Sequence, residues 1–296
     1  MSPTDLPEAA ERRLSESAFS SALSVSDFAA CLEMGLQPVG LVQGFCAMQQ
    51  SNFAMGGGFS RSLSPYGGSQ GGYVQNYQCP HGMISNEHRM WGQNYQQTWV
   101  ESAWTEGFTS SYSRMLEEAG ELGAHGVVGV VDTVTRLTDA NVVEFHLRGT
   151  AVKVLGAPAP TAPPWSTYLA GQLLSKVFEA GFVPISIVAS IASIRVWAYC
   201  MTEYLMGGAG MMWANSSGPQ EIDQVVTAKS QARFIARSDA RAKLGSDSLR
   251  GAYMQLAERE YEKGDLEIQA VLRGNRVRRF KDFDPLPVPQ ATVRLS

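Results

Sequence analysis

Histidine and cysteine are scarce, four of each in 296 residues. Cys31, Cys46, Cys79 and Cys200 form no Cys-x-x-Cys pair, which argues against a zinc ribbon or a thioredoxin-type redox motif. Their wide spacing also speaks against a disulfide framework and predicts reduced thiols in a cytoplasmic protein. Charge of one sign is lacking too: 24 Lys and Arg stand against 28 Asp and Glu, a net charge of −4, so nucleic acid is not an expected partner. Long hydrophobic runs are missing. The most apolar stretch, Phe182 to Ile194, contains Pro184 and stops at Arg195, too short to span a bilayer, and no transmembrane helix is expected. The N-terminal residues mix acidic and basic side chains without an apolar core, so no signal peptide is expected either. What remains, 44% hydrophobic and 18% charged, is enough to bury a core and suits a soluble chain of two domains.

The chain reads as two copies of one unit. LEMGLQPVGLVQG, residues 32–44, matches FEAGFVPISIVAS, residues 178–190, with Gly35 against Gly181 and Pro38 against Pro184. Leu122, Gly123 and Gly129 then face Leu244, Gly245 and Gly251, and Leu-Arg-Gly recurs at 147–149 and 272–274. The first copy carries a Gly-, Ser- and Tyr-rich insertion, about 55–96, that has no buried period and predicts a long loop. GAPAPTAPPW, residues 156–165, predicts a stiff linker between copies, and the Pro-rich residues 281–296 a tail. The expected division is therefore 1–155, linker 156–165, 166–280 and tail.

Within the first copy, a short helix capped by Ser26 precedes a buried strand over Val39 to Met48. An amphipathic helix follows from about Trp99 to Leu122, with Trp104, Phe108, Tyr112, Met115, Leu116 and Ala119 on one stripe and Glu117, Glu118 and Glu121 off it. Gly123 ends it. Residues 126–132 and 142–154 are rich in β-branched side chains and predict a hairpin. The second copy repeats the pattern as strand 182–199, helix 221–243 and strands 249–260 and 266–279. The fold class is thus α+β, each unit a strand, helix, strand, strand with one helix over a small antiparallel sheet. Three strands and one helix leave edges and a face open, so the unit must find company. Residues 1–155 hold 8 Lys and Arg against 15 Asp and Glu, and residues 156–296 hold 16 against 13, which favours contacts between unlike copies.

The run Arg114 to Val131, with the hairpin that closes in Gly149-Thr-Ala-Val152, resembles the YbjQ-like family, often labelled heavy-metal-binding domains. The match is closest over 108–154, looser over 35–48, and survives in the second copy as Leu-Gly, Gly251 and Leu-Arg-Gly. The resemblance implies a dodecin-like β-α-β-β subunit and a pentamer-like homo-oligomeric ring, here closed by tandem chains. Copy two departs from it, with Ser-Asp-Ser-Leu-Arg in place of Ala-His-Gly-Val-Val, and no metal motif of the family maps onto these positions.

The candidate metal ligands are Cys79, His81 and His88, because a thiolate, an imidazole two positions on and a second imidazole seven further supply three donors for a transition metal, with Glu87 as a fourth. Set against this, a Cys-x-His in a loop is more often structural. His125 and His146 lie in or beside strands and read as structural polar residues, and Cys46 and Cys200 as inert apolar thiols. Gly56 to Gly58 and Gly126 to Gly129 lack the remaining residues of a phosphate loop. Arg273, Arg276, Arg278, Arg279 and Lys281 form one basic run, with Arg276 and Arg278 on one strand face. Phe53, Phe59, Tyr66, Tyr73, Tyr77, Trp91, Tyr95 and Trp99 give the 55–96 region and its border the composition of a recognition loop for a protein or small ligand. The functional expectation is a non-enzymatic, oligomeric binding and assembly protein built of two YbjQ-like repeats. The alternatives are a heavy-metal-binding protein using Cys79, His81 and His88, or an enzyme with a site between the copies.

Overall fold

The computed structural model describes residues 19–49, 94–137, 142–196, 223–260 and 266–281. Along the chain these form α1 (Val25–Glu33), β1 (Leu36–Gln49), β2 (Asn94–Gln96), α2 (Thr98–Glu121), β3 (Gly126–Leu137), β4 (Val142–Val154), β5 (Trp165–Ser166), α3 (Gly171–Glu179), β6 (Phe182–Val196), α4 (Asp223–Leu244), β7 (Ser248–Glu260) and β8 (Leu266–Arg279). The class is α+β. One sheet has the order β1-β4-β3-β5 and the other β2-β6-β8-β7.

The two sheets share their pairing registers. Leu36 faces Val154 and Phe182 faces Arg279; Gly126 faces Val152 and Ser248 faces Val277. The irregularities coincide as well. A bulge between Pro38 and Gly40 has its counterpart between Pro184 and Ser186, and one between Val128 and Val131 has its counterpart between Arg250 and Tyr253. Each of the latter holds a glycine in the left-handed region, Gly129 at φ 61° and Gly251 at φ 58°, which a bulge of this kind requires.

The helices reach their sheets in different ways. Trp104, Phe108, Met115 and Ala119 of α2 sink into the core with Phe145 and Leu147, and the helix backbone comes so near β1 that a Cβ on Gly44 would lie 1.7 Å from the Ser111 carbonyl oxygen. Helix α4 instead presents Ala228, Ala232, Ala236 and Ala240, a stripe of small residues at every fourth position, to β6 and β8.

Several expectations change. Each sheet has four strands rather than three, because Trp165, placed in the linker, opens β5 and lies parallel to Gly126 on β3, while Asn94 to Gln96, placed in the loop, pair with β6. Strands of two and three residues leave no period to read. The cap of α1 is Ser24, whose hydroxyl accepts from the Asp27 N–H, two residues before Ser26. Glu118 is buried despite lying off the apolar stripe, because its carboxylate accepts the Gln43 N–H at 2.7 Å. The two halves also share a core: Ile187, Ala189 and Ile191 of β6 belong to the cluster built on Phe145 and Met115. Among the described residues no helix is long and apolar enough to cross a membrane.

Candidate assembly interface

Polar groups cross the seam between the halves. Asp132 on β3 accepts from Arg273 on β8 at 2.6 Å, and both side chains are buried. The Arg273 guanidinium lies 5.9 Å from the Tyr253 ring, within cation–π range. Tyr168 stands beside this pair, and its burial, together with the Asp132 charge, pushes its hydroxyl far above the usual 10, so it stays protonated at neutral pH. A second link joins Arg136 on β3 to Glu267 on β8 at 3.4 Å. Glu267 also accepts from Gln269, and the Ser193 hydroxyl lies 3.0 Å from both Glu267 and Gln97. Glu101 of α2 accepts the Ser193 N–H at 2.9 Å, tying the first helix to the second sheet.

A cleft of about 370 Å³ opens beside these groups, lined by Trp104, Asp132, Arg136, Gln255, Gln269 and Arg273. Its Asp132 carboxylate is already committed to a guanidinium, and no histidine lines it among the described residues. The arrangement is a lock between halves. A buried ion pair of this kind fixes the relative placement of two sheets more than it adds net stability.

The exchanged strand β5 is the second part of the interface. The Trp165 ring lies over Gly126, where a Cβ would sit 2.2 Å from the indole, so only glycine admits it. Beyond Ser166 the pairing continues: the Thr167 N–H donates to the Val127 carbonyl, and the Val130 N–H donates to the Thr167 carbonyl, each at 3.0 Å. Leu174 of α3 then fills a small cluster with Cys31, Leu36, Val128 and Val152 of the first half. At the far end of the second sheet β7 has no such cover among the described residues, and most of its own residues are exposed there.

The proposed metal ligands Cys79, His81 and His88, with Glu87, lie outside the described residues, as do Cys200 and Phe53, Phe59, Tyr66, Tyr73, Tyr77 and Trp91. Among the described residues no group of three or more His, Cys, Asp or Glu side chains is placed to hold a metal. His125 accepts the Val154 N–H at Nδ1, which makes Nε2 the protonated nitrogen that donates to the Pro158 carbonyl at 2.8 Å. His146 bonds Gln43 at 2.9 Å, and burial, with Arg148 nearby, lowers its pKa below the usual 6.5. Both are committed to the fold. Cys31 and Cys46 are free and buried, and burial raises the Cys31 thiol. The basic run is largely spent on ion pairs: Arg273 on Asp132, and Arg276 and Arg278 together on Asp247, whose carboxyl the two guanidinium groups hold below its ordinary range. The residues that sequence reasoning missed, Asp132, Ser193 and Glu267, carry no local signal, since each finds its partner more than 70 residues away.

No family model matches the chain, and no solved structure matches it. Over 289 residues it is 25% identical to an encapsulin nanocompartment protein of Mycobacterium tuberculosis, with 94% of each chain covered. This end-to-end similarity overturns the functional expectation set out above: it points to assembly and not to a tandem YbjQ-like heavy-metal-binding protein.

Proposed function

We propose that this chain is a component of a protein nanocompartment of the encapsulin kind and acts by assembling with further copies of itself. The observation that carries the proposal is the similarity to a nanocompartment protein across 94% of both chains. The edge of β7, unpaired among the described residues, and the outward apolar side chains of Phe19, Val25, Tyr253 and Phe280 support association, because such surfaces cost free energy while they face water. The unit of assembly is read as two dodecin-like β-α-β-β repeats, 1–155 and 166–280, and the matched registers of the two sheets support that reading. The free thiols of Cys31 and Cys46 suit a reducing, cytoplasmic setting.

Mass photometry and negative-stain electron microscopy of the purified chain test the proposal. Defined multimers are expected, and co-expression with an encapsulin shell is expected to carry the chain into the particle fraction. A 32.1 kDa species at every concentration, absent from those particles, overturns it.

A further inference from the structure

We infer that the outer edge of β7 receives residues 19–23 of a second copy of this chain, in the way that β3 receives residues 165–169 within the chain. The inference deepens the assembly reading above and rests on it. Its basis is a set of hydrogen bonds that the two halves hold in common. Ahead of α3, the Tyr168 N–H donates to the Asn275 side chain at 2.7 Å, Thr167 Oγ1 donates to the same oxygen at 2.8 Å, and the Leu169 N–H donates to Thr167 Oγ1 at 3.1 Å. Ahead of α1, the Ala22 N–H donates to Thr150 Oγ1 at 3.0 Å, Ser21 Oγ lies 3.1 Å from the same oxygen, and the Leu23 N–H donates to Ser21 Oγ at 3.1 Å. Ser21, Ala22 and Leu23 therefore occupy in the first half the places of Thr167, Tyr168 and Leu169 in the second. Leu23 and Leu169 even approach the same bulge glycine of their own half, Gly129 at 3.1 Å and Gly251 at 3.5 Å from a Cβ there.

Among the described residues, one of these two arms is used. Residues 165–169 stand on their own half and turn their remaining backbone groups to β3 of the other: Trp165 N–H to the His125 carbonyl, Thr167 N–H to Val127, and Val130 and Gly129 N–H to the Thr167 and Leu169 carbonyls. The arm at 19–23 stands on its own half in the same way, yet no backbone partner is found for Ser21 or for the Leu23 carbonyl among the described residues. Strand β7, the counterpart of β3, lies at the end of its sheet, and Gly251 and Ala252 at its bulge have no register partner on β8 and are exposed. Carrying the in-chain pattern across sets the Ser21 N–H on the Leu249 carbonyl, the Ala252 and Gly251 N–H groups on the Ser21 and Leu23 carbonyls, and Phe19 over Ser248.

Side chains agree with this placement. Phe19 is 58% exposed and Val25 90% exposed, whereas Trp165 is partly covered against Gly126. A smaller ring then meets a slightly larger residue, phenylalanine over serine where tryptophan lies over glycine. The next step along the chain brings Phe28 of the incoming copy to the place that Leu174 fills beside Cys31, Leu36, Val128 and Val152. There the Val128 position is held by Arg250, whose guanidinium lies 4.9 Å from the Phe182 ring, so this contact is aromatic and cationic rather than aliphatic. A contact that joins the arm of one chain to the edge of the next is heterologous, and it repeats until a ring closes or a filament grows.

Two singly substituted chains, Phe19→Cys and Ser248→Cys, each with Cys79→Ser and Cys200→Ser, are co-expressed with tags of different mass and treated with a short bis-maleimide. The expected product is a covalent dimer containing one of each chain, formed by neither chain alone. Multimers that yield no mixed dimer overturn this inference while leaving the assembly reading intact. Crosslinking of Ser248→Cys chains to themselves also overturns it, because two β7 edges would then pair directly. Monomers throughout overturn both.

Discussion

Arg273 is the residue on which the seam turns. Its guanidinium meets Asp132 at 2.6 Å with both side chains largely buried, and it lies beside the Tyr253 ring. The Asp132 carboxylate tolerates burial only while that partner is present. Arg273→Ala is therefore expected to cost about 3–5 kcal/mol of folding stability, the range for stranding one member of a buried pair. Replacing both, Asp132→Leu with Arg273→Met, is expected to recover most of that loss, since no charge is then left unpaired. Chemical-denaturation midpoints of the two variants check this, and equal losses in both would assign the effect to packing. Sequence reading identified Arg273 as part of a basic run but not its task, because the partner lies on a different sheet, 141 residues away.

At the scale of elements, the two helices answer the same need with different residues. Helix α2 carries large aromatic side chains and gains its closeness from glycine on the strand beneath, while α4 gains it from its own alanine stripe and has Ser190 beneath where α2 has Gly44. Gly44→Ala places a Cβ 1.7 Å from the Ser111 oxygen and 2.7 Å from the Met115 nitrogen, both backbone atoms that cannot swing aside. The helix must lift from β1. The expected cost is roughly 1–3 kcal/mol or more, the range for overpacking, read as a lowered melting temperature. The apolar stripe of α2 and the β-branched hairpin over 126–154 were legible in the sequence, since periodicity reports burial directly. The strands β2 and β5 were not, because their pairing depends on what lies across the seam.

The whole molecule is held as one body by exchange. The first half lends β2 to the second sheet and the second half lends β5 to the first, while Glu101, Ser193 and Glu267 tie the helix of one to the strands of the other. The core beneath α2 takes Ile187, Ala189 and Ile191 from β6 of the second half, while the cluster beneath α4 leans on β2 and the Glu101–Ser193 bond of the first. Residues 1–160 and 161–296, expressed separately, are expected to lack cooperative thermal transitions and to regain one on mixing, as followed by circular dichroism. Independent cooperative melting of both fragments would show that the exchanged strands are dispensable. The same logic, applied at the far edge, is the basis of the proposal that further chains attach through β7.

The sequence alone determined the α+β class and, in each half, the order strand, helix, strand, strand, because hydrophobic period and helix-stopping glycines are local instructions. It also determined where the copies differ in length. Only the tertiary structure decided that the halves trade strands, bury an Asp132–Arg273 pair between them and, among the described residues, leave one arm and one edge unpaired. Those outcomes depend on which surfaces meet after the chain has closed on itself, and no local pattern encodes the free energy of a contact between residues more than a hundred positions apart.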